Sequence, residues 1–395
     1  MNLMDLQANK LEKIPKIEKK EKSVTITSPR KLKAAIIGCT GLAGQSIVDS
    51  LISHPWFEIF SLHGLGTVGL PYSKARRSAT AKKIPKKIAD IPVKSVENLD
   101  INEIDLVFSA IPSEQAALIE SKLAKKVPVF STASWARYQP DIPIFLPIVN
   151  GHHADLLRLQ QQKNKSDGFI CPGPNCTTVG LAVALYPIFK TFGLKNVTAV
   201  SMQAVSGAGY GGISSYDILG NIIPYIPEEE QKVRIELKKI FAKIPKLETN
   251  KELFSIPDFI VDVKCNRVPV LEGHMISVFF QTIKTATEIE IRKCLQDFQG
   301  TDDMTEIDRK SLLNYPKTPI IVFSSEYKDR PQPRIDLSSD NHGMTTFIGG
   351  LEPSNFNNGF KMTVLSHNTE LGAGRGAVLN AEYLYLKKLF GRSKF

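Results

Sequence analysis

The chain has 395 residues, 42% of them hydrophobic, with 50 Lys and Arg against 40 Asp and Glu, a formal net charge of +10. That length sets one large or two ordinary domains, and the balance of apolar and charged residues excludes a disordered or fibrous chain. No apolar run approaches the ~18 residues of a membrane span, and no basic patch interleaved with aromatics points to nucleic acid.

Residues 1–30 are rich in lysine but also hold Asp5, Glu12, Glu18 and Glu21 and lack an apolar stretch, so they read as a basic tail rather than a targeting leader. The five cysteines (39, 171, 176, 265, 294) are an odd number at irregular spacing, which argues against a disulfide framework and for a reducing compartment, the cytoplasm.

From residue 31 the pattern is strand and helix in alternation. "LKAAIIG" (32–38) is a short apolar strand, and Gly38, Gly41 and Gly44 follow at three-residue steps into a run with Leu42, Ile47, Val48, Leu51 and Ile52 at helical spacing. A strand, a glycine turn and a helix start make a unit that can cradle a pyrophosphate: the glycines let the backbone approach, and the helix offers free N–H groups and a positive dipole end. "FEIFSLHG" (57–64), "IDLVFSAIP" (104–112) and "VPVFSTAS" (127–134) read as further strands, with a helix over 113–126. The fold class is therefore α/β, a Rossmann-like doubly wound parallel sheet over residues 31–175. Beyond it, 176–367 reads as an α+β domain with an antiparallel sheet: a strand at 196–207, a glycine-rich loop, a charged helix at 227–244, and two strands around a turn within 259–284. The last segment, 368–395, is glycines and a helix able to return to the first domain.

"ICPGPNCTTVG" (170–180) carries the chemistry. Cys176 falls at the first turn of a helix, where the dipole and free N–H groups favour the nucleophilic thiolate. Asn175 beside it can donate to a developing oxyanion. A thiol attacking a carbonyl needs a proton partner, and the residues alone leave seven histidines to choose from. His274, in a turn seven positions after Arg267, is one candidate, with a reference pKa of about 6.5 that places a limb of the pH–rate profile there. No metal is expected.

The pieces "GCTGLAGQ", "GPNCTT", "SMQAVSGAGY", "NIIPYIPEEEQK", "CNRVPVLEGH", "RPQPRID" and "VLSHNT" occur in this order. Together they resemble the aspartate-semialdehyde dehydrogenases of the branch found in archaea and fungi. The resemblance implies a nucleotide-binding domain, a catalytic and dimerisation domain, and a homodimer or homotetramer. It implies the NADPH-dependent reductive dephosphorylation of L-aspartyl 4-phosphate to L-aspartate 4-semialdehyde in lysine, threonine and methionine biosynthesis. Carried over to this chain, Cys176 is the nucleophile that forms a thioester, His274 the acid/base and Gln203 the residue orienting the acyl group. Arg267 pairs with the substrate carboxylate, Glu229 and Lys232 lie near the substrate amino group and phosphate, and Arg137 binds phosphate. Gly38, Thr40, Gly41, Leu42, Ala43, Gly44, Ser206, Gly207 and Asn368 match cofactor-contacting positions. "SLHGLGTVG" stands where relatives carry a serine-arginine pair for the adenosine phosphate, so NAD is not excluded, and Lys74, Arg76 and Arg77 are substitutes. Malonyl-coenzyme A reductase and a non-catalytic binding protein on the same fold are the alternatives.

Overall fold

The computed structural model describes residues 30–77, 84–245, 253–337 and 342–391. The basic tail, apart from Arg30, lies outside the described residues.

Strands β1 (Leu32–Ile37), β2 (Phe57–Gly64), β3 (Val93–Ser95), β4 (Leu106–Ser109), β5 (Pro128–Ser131) and β6 (Phe169–Pro172) form one sheet in the order β3-β2-β1-β4-β5-β6. Every pairing in it is parallel. This is the dinucleotide-binding order, with its crevice at the carboxyl ends beside β1 and β4. The strands read as unbroken apolar runs because both faces are covered: all four residues of β4 and of β5 are buried. Helices α1 (Leu42–Leu51), α2 (Ser113–Leu123) and α3 (Ala154–Asn164) supply crossovers.

The second sheet holds β7 (Leu194–Gln203), β8 (Ile260–Arg267), β9 (His274–Thr282), β10 (Ile320–Val322), β11 (Thr346–Pro353) and β12 (Gly359–Ser366), in the order β10-β11-β12-β9-β7-β8. It is mixed, not antiparallel as the sequence suggests. β8 and β9 do not pair; β7 lies between them, parallel to β8 and antiparallel to β9. The turn from Arg267 to His274 therefore steps over the end of β7, and this sets Gln203, Arg267 and His274 at one edge of the sheet.

Helix α4 (Cys176–Phe192) joins the two sheets. It is apolar all round, with Val179, Leu181, Ala182, Val183, Ala184, Leu185 and Ile188 fully buried, as a helix in the centre of a large core must be. A Cβ on its Gly180 would come within 2.2 Å of Ser366 Oγ on β12, so the helix lies directly on the second sheet. α5 (Glu229–Ile240) and α6 (Glu288–Gln296) complete that layer. α7 (Gly374–Leu386) packs on α1, and the chain beyond it inserts Phe390 among Phe57, Phe130 and Phe169 under the parallel sheet.

Candidate active site

Cys176 is the first residue of α4. Its helix is capped by Asn175, whose Oδ1 accepts from the backbone N–H groups of Thr177 (2.9 Å) and Thr178 (3.1 Å). The Asn175 Nδ2 donates to Glu229 Oε1 at 2.9 Å, and Thr177 Oγ1 donates to the same oxygen at 3.1 Å. Asn175 thus serves as the helix cap through its Oδ1 and spends one of its two Nδ2 hydrogens on Glu229. Its side-chain carbonyl satisfies helix-end donors that would otherwise be orphaned.

The sulfur faces His274, with Sγ 3.3 Å from Nε2. On the other side of the ring Nδ1 accepts from the Ala204 backbone N–H at 3.1 Å, and the Ala204 carbonyl accepts from Arg267 Nη1 at 2.7 Å. Residue 204 so links the histidine to the arginine. Gly207 closes the cluster: a Cβ there would lie 2.7 Å from Arg267 Nη1 and 3.1 Å from His274 Nε2. Among seven histidines the fold selects His274, because the chain path over β7 brings it to the Cys176 thiol.

Electrostatics differ from the reading of a helix-start thiolate. Burial pushes the Cys176 thiol up to about 12, with Glu229 and Glu236 adding to the rise and Arg137 and Arg267 opposing it. Burial pushes His274 down to about 3, helped by the positive charge of Arg267. Both partners are therefore neutral at rest, and thiol deprotonation has to accompany attack. The dipole argument correctly places the cysteine, but the thiolate's desolvation and the nearby carboxylates outweigh the helix end.

Arg137 and Arg267 are each only 5% exposed. Arg137 donates from Nη1 to Glu236 Oε1 (3.0 Å) and from Nη2 to the Thr132 carbonyl (2.8 Å). In both arginines Nε is buried without a partner. A pair of orphaned guanidinium donors beside a thiol is what an anionic substrate would satisfy. Gln203, at the end of β7, turns its Nε2 to Ser201 Oγ at 3.1 Å. Lys232 pairs with Glu228 at 3.1 Å and lines a neighbouring cleft of about 1070 Å³ together with Arg137 and Tyr138.

At the glycine turn, Gly41 caps α1 and no side chain completes the cap. A Cβ at Gly41 would meet nothing nearer than Gly38 O at 3.5 Å, so the turn is open there. The other two glycines serve packing. Gly38 has φ +79°, and a Cβ on it would fall 2.4 Å from Ala110 O; one on Gly44 would fall 2.1 Å from Gly38 O. The uncapped helix start over Thr40, Gly41, Leu42 and Ala43 fits a pyrophosphate. Ser206 and Asn368 meet each other, Asn368 Nδ2 donating to Ser206 Oγ at 2.8 Å, while Asn368 Oδ1 accepts from the Gly273 N–H at 2.8 Å. Of the three basic substitutes near β2, Arg76 is held by Gln45 Oε1 (2.8 Å) and Asp49 Oδ2 (3.3 Å) with Nη1 buried and unpartnered, whereas Lys74 and Arg77 are exposed.

Two residues of this site escape the sequence reading. Glu236 is fully buried and touches Arg137, Tyr138 and the Asn175 backbone. Its signal was a second carboxylate seven positions after Glu229, on the same apolar stripe as Val233, Leu237 and Ile240. Gly372 is the other: a Cβ there would lie 3.0 Å from the Cys176 backbone.

A nucleotide-binding sheet whose last strand delivers a thiol to a histidine on a second sheet is the arrangement of a thiol-dependent dehydrogenase. The family model of the semialdehyde dehydrogenase NAD binding domain matches residues 33–157 and that of the semialdehyde dehydrogenase dimerisation domain matches 185–370; the chain belongs to this family. An aspartate-semialdehyde dehydrogenase of Schizosaccharomyces pombe is 35% identical over 362 residues, 90% of this chain and 99% of its own. One from Methanothermobacter thermautotrophicus is 34% identical over 355 residues, 89% of this chain and 99% of its own. A malonyl CoA reductase (NADP) of Metallosphaera sedula is 33% identical over 361 residues, 91% of this chain and 98% of its own. The crystal structure of the Candida albicans aspartate semialdehyde dehydrogenase with NADP superposes with a TM-score of 0.80 at 31% identity, covering 91% of this chain and 100% of that one.

Proposed function

We propose that this protein is an NADP-dependent aspartate-semialdehyde dehydrogenase that interconverts L-aspartyl 4-phosphate and L-aspartate 4-semialdehyde, a step supplying lysine, threonine and methionine. The carrying observation is the 3.3 Å contact of Cys176 Sγ with His274 Nε2, flanked by two arginines with buried, unpartnered Nε donors.

The roles follow from placement. Arg267 grips the substrate carboxylate and Arg137 the phosphate, each meeting an anion with a donor the protein leaves unsatisfied. With Nδ1 accepting from Ala204 the neutral ring carries its proton on Nε2, so His274 takes the thiol proton as the other tautomer, with the ring proton moved to Nδ1 and the Ala204 bond given up; Cys176 then attacks the acyl carbon, the C–O bond to phosphate breaks, and phosphate leaves with the electron pair. The product is an acyl-thioester on Cys176. Gln203 orients the acyl oxygen. The helix start at Thr40, Gly41, Leu42 and Ala43 would hold the pyrophosphate of NADPH, which when bound would supply the hydride that reduces the thioester. His274 then holds the proton that is returned as the thiol leaves. Arg76, with an unpartnered buried N–H beside α1, is the residue proposed to read the adenosine phosphate.

Self-association into a homodimer or homotetramer is supported by the second sheet. Along β7 buried residues alternate with Thr198, Val200 and Met202, and this other face also exposes Phe279 of β9. A cytoplasmic setting is supported by five unpaired cysteines, and no helix among the described residues is long and apolar enough to cross a membrane.

The test compares two substrates. The purified protein should reduce NADP with aspartate semialdehyde plus inorganic phosphate, and a Cys176→Ala variant should not. Turnover of malonyl-coenzyme A with NADPH, and none of the semialdehyde, would overturn the reading in favour of the coenzyme A reductase.

A further inference from the structure

Helix α5 carries two buried carboxylates, and only the first, Glu229, has a role implied by the family resemblance. Glu236 is fully buried. Its Oε2 accepts from the Asn175 backbone N–H at 2.6 Å, one residue before the nucleophile. Its Oε1 accepts from Arg137 Nη1 and from the Tyr138 hydroxyl, each at 3.0 Å. One carboxylate therefore spans the turn that carries the phosphate arginine and the turn that carries the thiol. Those turns follow the paired strands β5 and β6, joined at their ends by the Gly173 N–H to the Ser131 carbonyl at 3.0 Å, and Glu236 adds a side-chain bridge farther along both turns, at Arg137 and Asn175. Lys239, one turn after Glu236, donates to the Arg137 and Gln139 carbonyls at 2.7 Å each and fixes the same loop from behind.

A plain ion-pair role would explain the Arg137 contact alone. It would not explain the short bond to a main-chain N–H beside Cys176. Nη1 spends one N–H on Glu236, Nη2 spends one on the Thr132 carbonyl and Nε has no partner, so the direction in which the guanidinium presents its remaining N–H groups is set by where Glu236 stands.

We propose that Glu236 is a positioning residue that holds the Arg137 phosphate subsite and the Cys176 turn in one register, so that phosphate and thiol meet the same acyl carbon. This rests on the assignment of Arg137 to phosphate in the proposed function.

Two variants separate position from charge. Glu236→Asp keeps the charge but withdraws the carboxylate by one methylene, so it cannot reach both turns. Glu236→Gln keeps the length but puts a donor where either Asn175 N–H or the Arg137 and Tyr138 donors need an acceptor. Both should raise the KM for inorganic phosphate by about tenfold or more, since a ~1 Å misplacement is worth up to ~10²-fold. The Kd for NADP should stay within about twofold in both variants, because the cofactor site lies at the β1–α1 turn. In Glu236→Gln the pH profile of Cys176 alkylation by iodoacetamide should also move to lower pH, because a carboxylate that disfavours the thiolate is gone; in Glu236→Asp it should not move. On an Arg137→Met background the phosphate penalty of Glu236→Gln should vanish, as required if the residue acts through Arg137. Phosphate and NADP constants rising together, or a phosphate KM within twofold of the parent, would overturn the proposal. If Glu236→Gln does not fold, Glu236→Asp carries the kinetic comparison. The alkylation arm needs no substrate, so it reports on Glu236 and Cys176 even if the parent protein turned over no semialdehyde, the result that would sink the proposed function instead.

Discussion

The thiol and its histidine are both neutral in the free protein, and this gives a pH signature different from the one the sequence alone suggests. The sequence reads as a thiolate favoured by the helix start, with His274 as an acid/base whose limb falls near its reference pKa of about 6.5. Here burial pushes Cys176 up to about 12 and His274 down to about 3. Thiolate forms above a thiol's pKa, so alkylation of Cys176 by uncharged iodoacetamide should be slow near neutrality and still climbing at pH 10. A plateau reached between pH 7 and 8 would show an activated thiolate and contradict the structure. Imidazolium forms below its pKa, so the free-enzyme profile, kcat/KM, should show no His274 limb near 6.5. His274→Asn should nonetheless lower turnover by ~10²–10⁴-fold, because the ring still moves a proton during attack. Loss of less than about tenfold would assign the proton to another group.

At the scale of elements, the three glycines after β1 look equivalent in the sequence and are not. Gly41 faces open space, whereas a Cβ on Gly44 would fall 2.1 Å from the Gly38 carbonyl oxygen. Gly41→Val should therefore fold and lose affinity for NADP in calorimetric titration, whereas Gly44→Ala should lower the denaturation midpoint before any question of binding arises. An unchanged NADP affinity in folded Gly41→Val would remove the pyrophosphate from this turn. The turn itself was legible because a strand period gives way to a helical one across three glycines, and Cys176 was legible because a proline-stiffened turn leads into an apolar helix. β3 was not: three residues are too few to show a period. The insertion of β7 between β8 and β9 was not legible either, since long-range pairing leaves no local trace and a turn between two strands reads most simply as a hairpin. Glu236 was masked by its neighbours. In a helix with so many charges, a carboxylate on the apolar stripe looks like one more solvated residue, although its position seven after Glu229 already placed it inside.

Across the whole molecule, residues 367–376 tie three separate parts of the site together. Asn368 bonds Ser206 and the N–H of Gly273, next to His274. Gly372 lies against the Cys176 backbone, and Gly374 against the Ala43 carbonyl and Ser46 on α1. Arg375 fastens this strap. Its Nε donates to Glu370 Oε2 at 3.0 Å and its Nη1 to Asn314 Oδ1 at 2.8 Å. The Ser46 hydroxyl donates to the same Glu370 oxygen at 2.8 Å, and Asn314 Nδ2 donates to buried Glu382, which also holds His54. The guanidinium is thus the centre of a network running from α1 through the strap to α7. Arg375→Ala leaves Glu370 and Asn314 each short of a partner in a mostly enclosed site, a change that should cost about 1–3 kcal/mol of unfolding free energy. Because Ser46 is held by Glu370, the start of α1 should also lose its fixed distance from Cys176. The expected pattern is a lower denaturation midpoint with a weakened NADP affinity, while the rate of Cys176 alkylation, set by the residues of α5 and the second sheet, stays as in the parent. A normal midpoint together with normal NADP affinity would show that the strap is held by its glycine contacts and Asn368 alone.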